Sequence, residues 1–152
     1  MSNSDIMKAI KVNKQRRHSM TYQENYQKWV DFAGLPDYLR QDLENMDEKT
    51  KEDAFYTNLE FGTAGMRGLI GAGTNRINIY VVRQATEGLA RLIESKGGNE
   101  KERGVAIAYD SRHFSPEFAF ESAAVLAKHG IKSYVFESLR PTPELSFAVR
   151  HL

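Results

Sequence analysis

Apolar residues recur at helical spacing in the first third of the chain and gather into short runs further on. Between Thr21 and Met46 the pattern predicts two helices. Tyr22, Tyr26, Trp29, Val30 and Ala33 form one stripe at i, i+4, i+7 spacing. Thr21 followed by Glu24 has the form of a capping box. Gly34 is expected to end that helix, and Pro36 to prevent its continuation. Tyr38, Leu39 and Leu43 then mark a second amphipathic segment. Asp47–Asp53 reads as a charged, solvated stretch leading into a short helical turn over Ala54–Asn58.

The second half changes period. Asn78 is a candidate N-cap for a helix from Ile79 to Ser95, although β-branched Ile79, Val81 and Val82 favour strand locally. Gly97-Gly98 ends this helix, and Asn99–Arg103 reads as a polar loop. Gly104–Tyr109 is nearly all apolar, as in a strand covered on both faces. Ser115-Pro116-Glu117 predicts a helix start with Ser115 as N-cap, running to Lys128. His129 is placed to meet the negative end of that helix, and Gly130 to stop it. Ile131–Phe136 alternates and predicts a second strand, and Thr142-Pro143-Glu144 opens a last helix through Val149. Strand, helix, strand, helix at this spacing defines a βαβα unit with parallel strands.

Composition narrows the class. The 152 residues suit one domain, and 41% hydrophobic with 27% charged is ordinary for a globular chain. A net charge of +1 gives no general argument for nucleic acid or membrane binding. The absence of cysteine excludes disulfides, thiolate metal sites and cysteine nucleophiles. No apolar run approaches the roughly 20 residues of a membrane helix. The N-terminus lacks an apolar signal core, so the cytoplasm is the expected location. Residues 1–20, with the basic run Lys14–His18, read as a disordered extension or tag.

The candidate chemistry lies in Phe61–Gly68. Gly62, Gly65 and Gly68 fall at every third position, with the Thr63 hydroxyl and the Arg67 guanidinium between them. Such a loop can wrap an oxyanion, most simply a phosphate ester, with peptide N–H groups and the two-pronged Arg67 fork. The alternative is a glycine-rich bend with Arg67 paired to a carboxylate. Gly71-Ala72-Gly73-Thr74-Asn75-Arg76 adds further N–H donors and a second arginine. Position 76 is not glycine, so this is no dinucleotide fingerprint, and no Gly-Lys-Ser/Thr follows to make a P-loop. Ligands of parallel sheets sit beyond the strand carboxyl ends, which makes Asp110 and Arg112 candidates. The stronger reading of this pair is an Asp–Arg ion pair bracing a loop. The four histidines show no metal-ligand spacing, and no Gly-x-Ser-x-Gly nucleophile elbow occurs.

Leu59–Gly68, Gly71–Arg76, Ala108-Tyr109-Asp110-Ser111-Arg112 and Arg140-Pro141-Thr142-Pro143-Glu144 together resemble the α-D-phosphohexomutases. Their order and spacing are similar to that family's first domain, and the variants look most like the phosphoglucomutase/phosphopentomutase branch. The resemblance implies a three-layer α/β/α sandwich with a mixed, mainly parallel sheet over 59–152, preceded by N-terminal helices over 21–58. It implies an enzyme that moves phosphate between the 1- and 6-positions of a sugar. A phosphoserine and a sugar bisphosphate intermediate carry the group, with Mg2+ in the full-length protein. Arg67 and Thr63 would face the transferring phosphate, with Gly65, Arg76, Asp110 and Arg112 as weaker candidates. Ala64 stands where many relatives carry Ser or Tyr. A Thr-Ala-Ser-His-Asn-like phosphoserine loop is absent from the 152 residues, as is a three-aspartate magnesium loop. The expectation is therefore an N-terminal fragment that binds no cofactor and is inactive alone. Its unfinished sheet edge would be open to pairing with a second copy. An alternative is a non-enzymatic sugar-phosphate-binding or interaction module.

Overall fold

Thr21 opens the first helix through a reciprocal cap. Its Oγ1 accepts the Glu24 N–H at 3.3 Å, while the Glu24 carboxylate accepts the Thr21 N–H at 2.7 Å. The computed structural model describes residues 21–60 and 66–151. The chain divides into two units. One holds the described residues up to Asn58 together with Ala72–Asn75. The other holds the described part of Leu59–Gly71 and the residues from Arg76 onward.

In the first unit, α1 (Tyr22–Val30) stops before the expected Ala33. Asp31 ends it, its N–H donating to the Gln27 carbonyl and its carboxylate accepting from Gln27 Nε2 at 2.8 Å. Helix α2 (Asp37–Glu44) follows Pro36 and buries Leu39 and Leu43. The charged stretch is solvated as read, but it is also helical, forming α3 (Glu48–Phe55). Asp47 caps it by accepting the Thr50 N–H at 2.8 Å, and its last turn buries Ala54 and Phe55. Tyr26 and Trp29 of α1 meet the Phe55 ring edge-on, with centroids 5.5 and 5.8 Å away. The Tyr26 hydroxyl donates to the Leu43 carbonyl at 3.2 Å. The apolar stripe of α1 is thus packing, anchored on an aromatic of α3.

In the second unit, Asn78 starts α4 (Ile79–Lys96) by accepting the N–H groups of Tyr80 and Val81. The β-branched first turn is helical because this cap satisfies donors that would otherwise be left open. Gly97, at φ 66°, stops it. Asn99–Arg103 is no plain loop: Glu100–Arg103 forms the short helix α5. Strand β1 (Val105–Ile107) leads through α6 (Ser115–Lys128) to strand β2 (Ser133–Val135) and then α7 (Thr142–His151). The strands pair in parallel, with Val105, Ala106 and Ile107 opposite Ser133, Tyr134 and Val135. Helix α4 packs on α6, α6 on β2, and α7 on β1. Ala90, Leu126 and Ile131 are the buried centre, with Ile93, Val105 and Ile107 against them.

This is an α-rich α/β domain whose sheet has two strands among the described residues. Both strands are shorter than the stretches that announced them, and β1 is half-buried rather than covered on both faces. Past β1 the two chain segments stay linked, Phe136 N–H to the Ile107 carbonyl and Arg140 N–H to the Tyr109 carbonyl, each at 3.1 Å. The start of α6 also differs from expectation. Phe114 occupies the N-cap with a left-handed backbone, φ 62°, and Ser115 is the first helical residue. The Ser115 hydroxyl accepts the Asp110 N–H at 3.3 Å, so it braces the loop before the helix and does not cap the helix.

Candidate functional site

Phe61–Gly65 lie outside the described residues, and with them the candidates Thr63 and Gly65. The outgoing limb of the loop is described. Met66, Gly68 and Ile70 line a cavity of about 260 Å3, together with Ile77, Val82 and Phe118. The intervening Arg67 and Leu69 are exposed and take no part in that lining. A period of two is what an extended limb imposes. It directs Met66 and Ile70 to the cavity and leaves the Arg67 guanidinium and Leu69 at the surface. Arg67 has no ion pair with any described residue.

The second glycine cluster is committed to the protein itself. Gly71 N–H donates to the Ile77 carbonyl at 3.2 Å, and Ile77 N–H to the Leu69 carbonyl at 2.8 Å. The Gly71 carbonyl accepts from Asn78 Nδ2 at 2.9 Å. Ala72 N–H donates to Asp42 Oδ2 at 2.6 Å, and Thr74 Oγ1 to the Thr57 carbonyl at 2.6 Å. Asn75 donates through its backbone to the Ala54 carbonyl and through Nδ2 to the Asp53 carbonyl, each at 2.9 Å. Gly73 lies so close to Ala54 that a Cβ would fall 2.5 Å from the Ala54 oxygen, and its φ is +132°. The N–H groups of Gly71, Ala72 and Asn75, which read as part of a second anion loop, go to internal acceptors. Arg76 is only 7% exposed, an interior cation rather than a surface one.

Asp110 and Arg112 do come together beyond β1. Arg112 Nε lies 2.8 Å from Asp110 Oδ2, and Arg112 N–H donates to Asp110 Oδ1 at 3.1 Å. That backbone N–H, aided by the Ser115 hydroxyl and the Arg112 guanidinium, holds the Asp110 carboxyl below its ordinary range. Arg112, His113 and Ser115 line the same cavity as the glycine-loop limb, so the two candidate regions share one pocket.

Two residues with clear structural roles carry no site signal in the sequence. Arg140 stands in one of the four family-like motifs, but its position there gives it no role. Its Nη1 donates to Ser138 Oγ at 2.6 Å and to the Leu139 carbonyl at 2.9 Å, and its Nε lies 3.0 Å from Glu144. Asp42 gives no local signal, because its partner Ala72 is thirty residues away.

An exposed arginine on a glycine-rich limb stands in an α/β domain with a parallel strand pair. A family model described as phosphoglucomutase/phosphomannomutase, alpha/beta/alpha domain I, matches residues 58–152. The chain belongs to this family and carries its domain I. A protein of Staphylococcus epidermidis (strain ATCC 35984 / DSM 28319 / BCRC 17069 / CCUG 31568 / BM 3577 / RP62A) named phosphoglucomutase is 41% identical over 125 residues, covering 82% of this chain and 22% of the relative. A phosphoglucomutase of Staphylococcus aureus (strain bovine RF122 / ET3-1) is 44% identical over 102 residues, 67% of this chain and 18% of the relative. One of Staphylococcus haemolyticus (strain JCSC1435) is 42% identical over 102 residues, with the same coverage of 67% and 18%. The chain thus spans about a fifth of the length of these curated relatives. No solved structure matches it.

Proposed function

We propose that this chain is the first-domain wall of a phosphoglucomutase-type enzyme of carbohydrate metabolism. The parent protein would interconvert glucose 1-phosphate and glucose 6-phosphate through a phosphoserine and a bisphosphate intermediate. The observation that carries the reading is Arg67: exposed, without an acidic partner among the described residues, and next to a three-glycine loop. Phosphoryl transfer needs fixed positive charge and N–H donors where negative charge moves. Arg67 would supply the charge, and Thr63 with the Gly65 N–H would shape the wall beside it. Asp110 and Arg112 would brace the adjoining loop. Arg76, being buried, would stabilise the limb from within and not meet substrate.

The finer architecture belongs to the same proposal. Residues 59–152 would form a three-layer α/β/α sandwich with a mixed, mainly parallel sheet, with 21–58 as a helical unit before it. The sheet edge would offer a site for a second copy, and the parent enzyme would work in the cytoplasm. No helix among the described residues is long and apolar enough to cross a membrane. The family implies Mg2+ and a sugar bisphosphate. Among the described residues no group of three or more His, Asp or Glu side chains is arranged to hold a metal ion.

Isothermal titration of the 152-residue chain with glucose 1,6-bisphosphate, and with unphosphorylated glucose, tests the reading. Binding of the bisphosphate alone is expected, and Arg67→Ala is expected to weaken it about tenfold, the effect of losing charge-assisted bonds worth ~1.5 kcal/mol. Equal affinity of wild type and Arg67→Ala contradicts it.

A further inference from the structure

Every residue of Ala72–Asn75 is held by the helical unit. Ala72, wholly buried, gives its N–H to Asp42. Gly73 lies against the Ala54 carbonyl, Thr74 is bonded to the Thr57 carbonyl, and Asn75 is bonded to the carbonyls of Ala54 and Asp53. All of these acceptors precede residue 58, where the family match begins. A segment outside the matched domain therefore grips a segment inside it. Ala54, Thr57 and Asp53 accept these bonds through backbone carbonyls, which almost any side chain would leave in place. Asp42 acts through its side chain, and its bond is short and charge-assisted.

Arg67 lies five residues before this anchored tip. The limb between them is pinned at its far end by the pairing of Leu69 and Gly71 with Ile77. We propose that Asp42 is a positioning residue for the Arg67 site, holding Ala72 so that the limb carrying the guanidinium is ordered before a phosphate arrives. The proposal rests on the reading of Arg67 as a phosphate ligand. A limb ordered in advance loses less conformational entropy on binding, so the anchor raises affinity without touching the ligand. Helix α2 presents Asp42, and α3 with the residues just after it presents the carbonyls that lock the tip.

The test compares wild type, Asp42→Ala, Asp42→Asn and Arg67→Ala. Each is titrated with glucose 1,6-bisphosphate at a temperature where circular dichroism shows the helices intact. In parallel, the backbone heteronuclear NOE of Gly68 is measured without ligand. Asp42→Ala is expected to weaken binding roughly threefold or more and to lower the Gly68 NOE. Asp42→Asn still offers an oxygen to Ala72 and is expected to stay within about twofold of wild type. Folded Asp42→Ala with wild-type affinity and wild-type Gly68 NOE overturns the proposal. Should Asp42→Ala not fold, Thr74→Val removes the bond to the Thr57 carbonyl and is expected to produce the same pair of changes. Wild-type values in a folded Thr74→Val protein overturn it equally. If Arg67→Ala loses binding and the anchor variants do not, the positioning role falls alone. If Arg67→Ala binds normally, the phosphate reading falls and this role with it.

Discussion

His129 Nε2 lies 2.8 Å from a carboxylate oxygen of Glu87. Its other nitrogen, Nδ1, lies 3.2 Å from Glu94. Ionised carboxylates only accept, so a ring facing one at each nitrogen must donate from both and carries a positive charge. His129 stands at the C-cap of α6, the negative helix end where its place in the sequence puts it. Its ring also bridges across to α4, while its carbonyl accepts from Lys101 Nζ at 2.8 Å.

This cluster makes stability depend on pH in a definite direction. The bond to Glu87, then that to Glu94, raises His129 above its ordinary 6.5. Glu87 is lowered from 4.5 chiefly by His129 and then Arg91, and Glu94 chiefly by Lys101 and then His129. A raised histidine contributes fully below 6.5 and loses its contribution as pH rises through the folded value. The lowered glutamates contribute above 4.5 and lose theirs as pH falls through their folded values. Stability from this cluster is therefore greatest between those limits. An NMR titration should place the His129 midpoint above 6.5, and Glu87→Gln should lower it. A wild-type midpoint at or below 6.5 contradicts the arrangement.

Gly73→Ala is expected to destabilise the chain by about 2 kcal/mol. The new methyl would meet the Ala54 carbonyl at 2.5 Å, on a backbone that side chains rarely adopt. Denaturant unfolding followed by Trp29 fluorescence measures this, because Trp29 is the only tryptophan. An unchanged midpoint would mean that the tip is not packed on α3.

Phe55→Ala removes the ring on which Tyr26 and Trp29 converge. Loss of a wholly buried phenylalanine costs roughly 3–5 kcal/mol. The α-helical circular dichroism signal of the first unit should melt earlier, and the Trp29 emission should shift to longer wavelength in the native state. A native-like emission maximum in this variant contradicts the packing of α1 on α3.

The chain by itself is expected to convert no glucose 1-phosphate to glucose 6-phosphate in the presence of Mg2+ and glucose 1,6-bisphosphate. A coupled dehydrogenase assay checks this. Turnover above the uncatalysed background would show that the phosphoryl carrier lies within these 152 residues.

Caps and helix stops are legible in the sequence because their signals are local. Thr21 with Glu24, Asn78, and Gly97 each act within three or four residues of themselves. Helix α3 is hidden because its apolar residues, Ala54 and Phe55, sit together in its last turn and give no periodic stripe. Ser115 falls one position away from its expected place because the loop's need for a bond to Asp110 N–H outweighs the usual Ser-Pro helix start. The second glycine cluster looks in sequence like an anion loop, because glycine, threonine and asparagine suit close backbone packing as well as they suit a ligand. Its use is decided by Asp42 and Ala54, too distant in sequence to be paired by inspection. Arg67 stands out in the sequence alone, since a lone guanidinium among small residues has little to pack against.

The most direct test of Arg67 as the phosphate ligand is its Nε–Hε resonance in a 15N spectrum of the chain, followed as glucose 1,6-bisphosphate is added. A saturable shift of that resonance, with none on adding plain glucose, is the predicted result. A resonance that stays put while the ligand binds, or that moves equally with glucose, contradicts the assignment of Arg67 to the phosphoryl group.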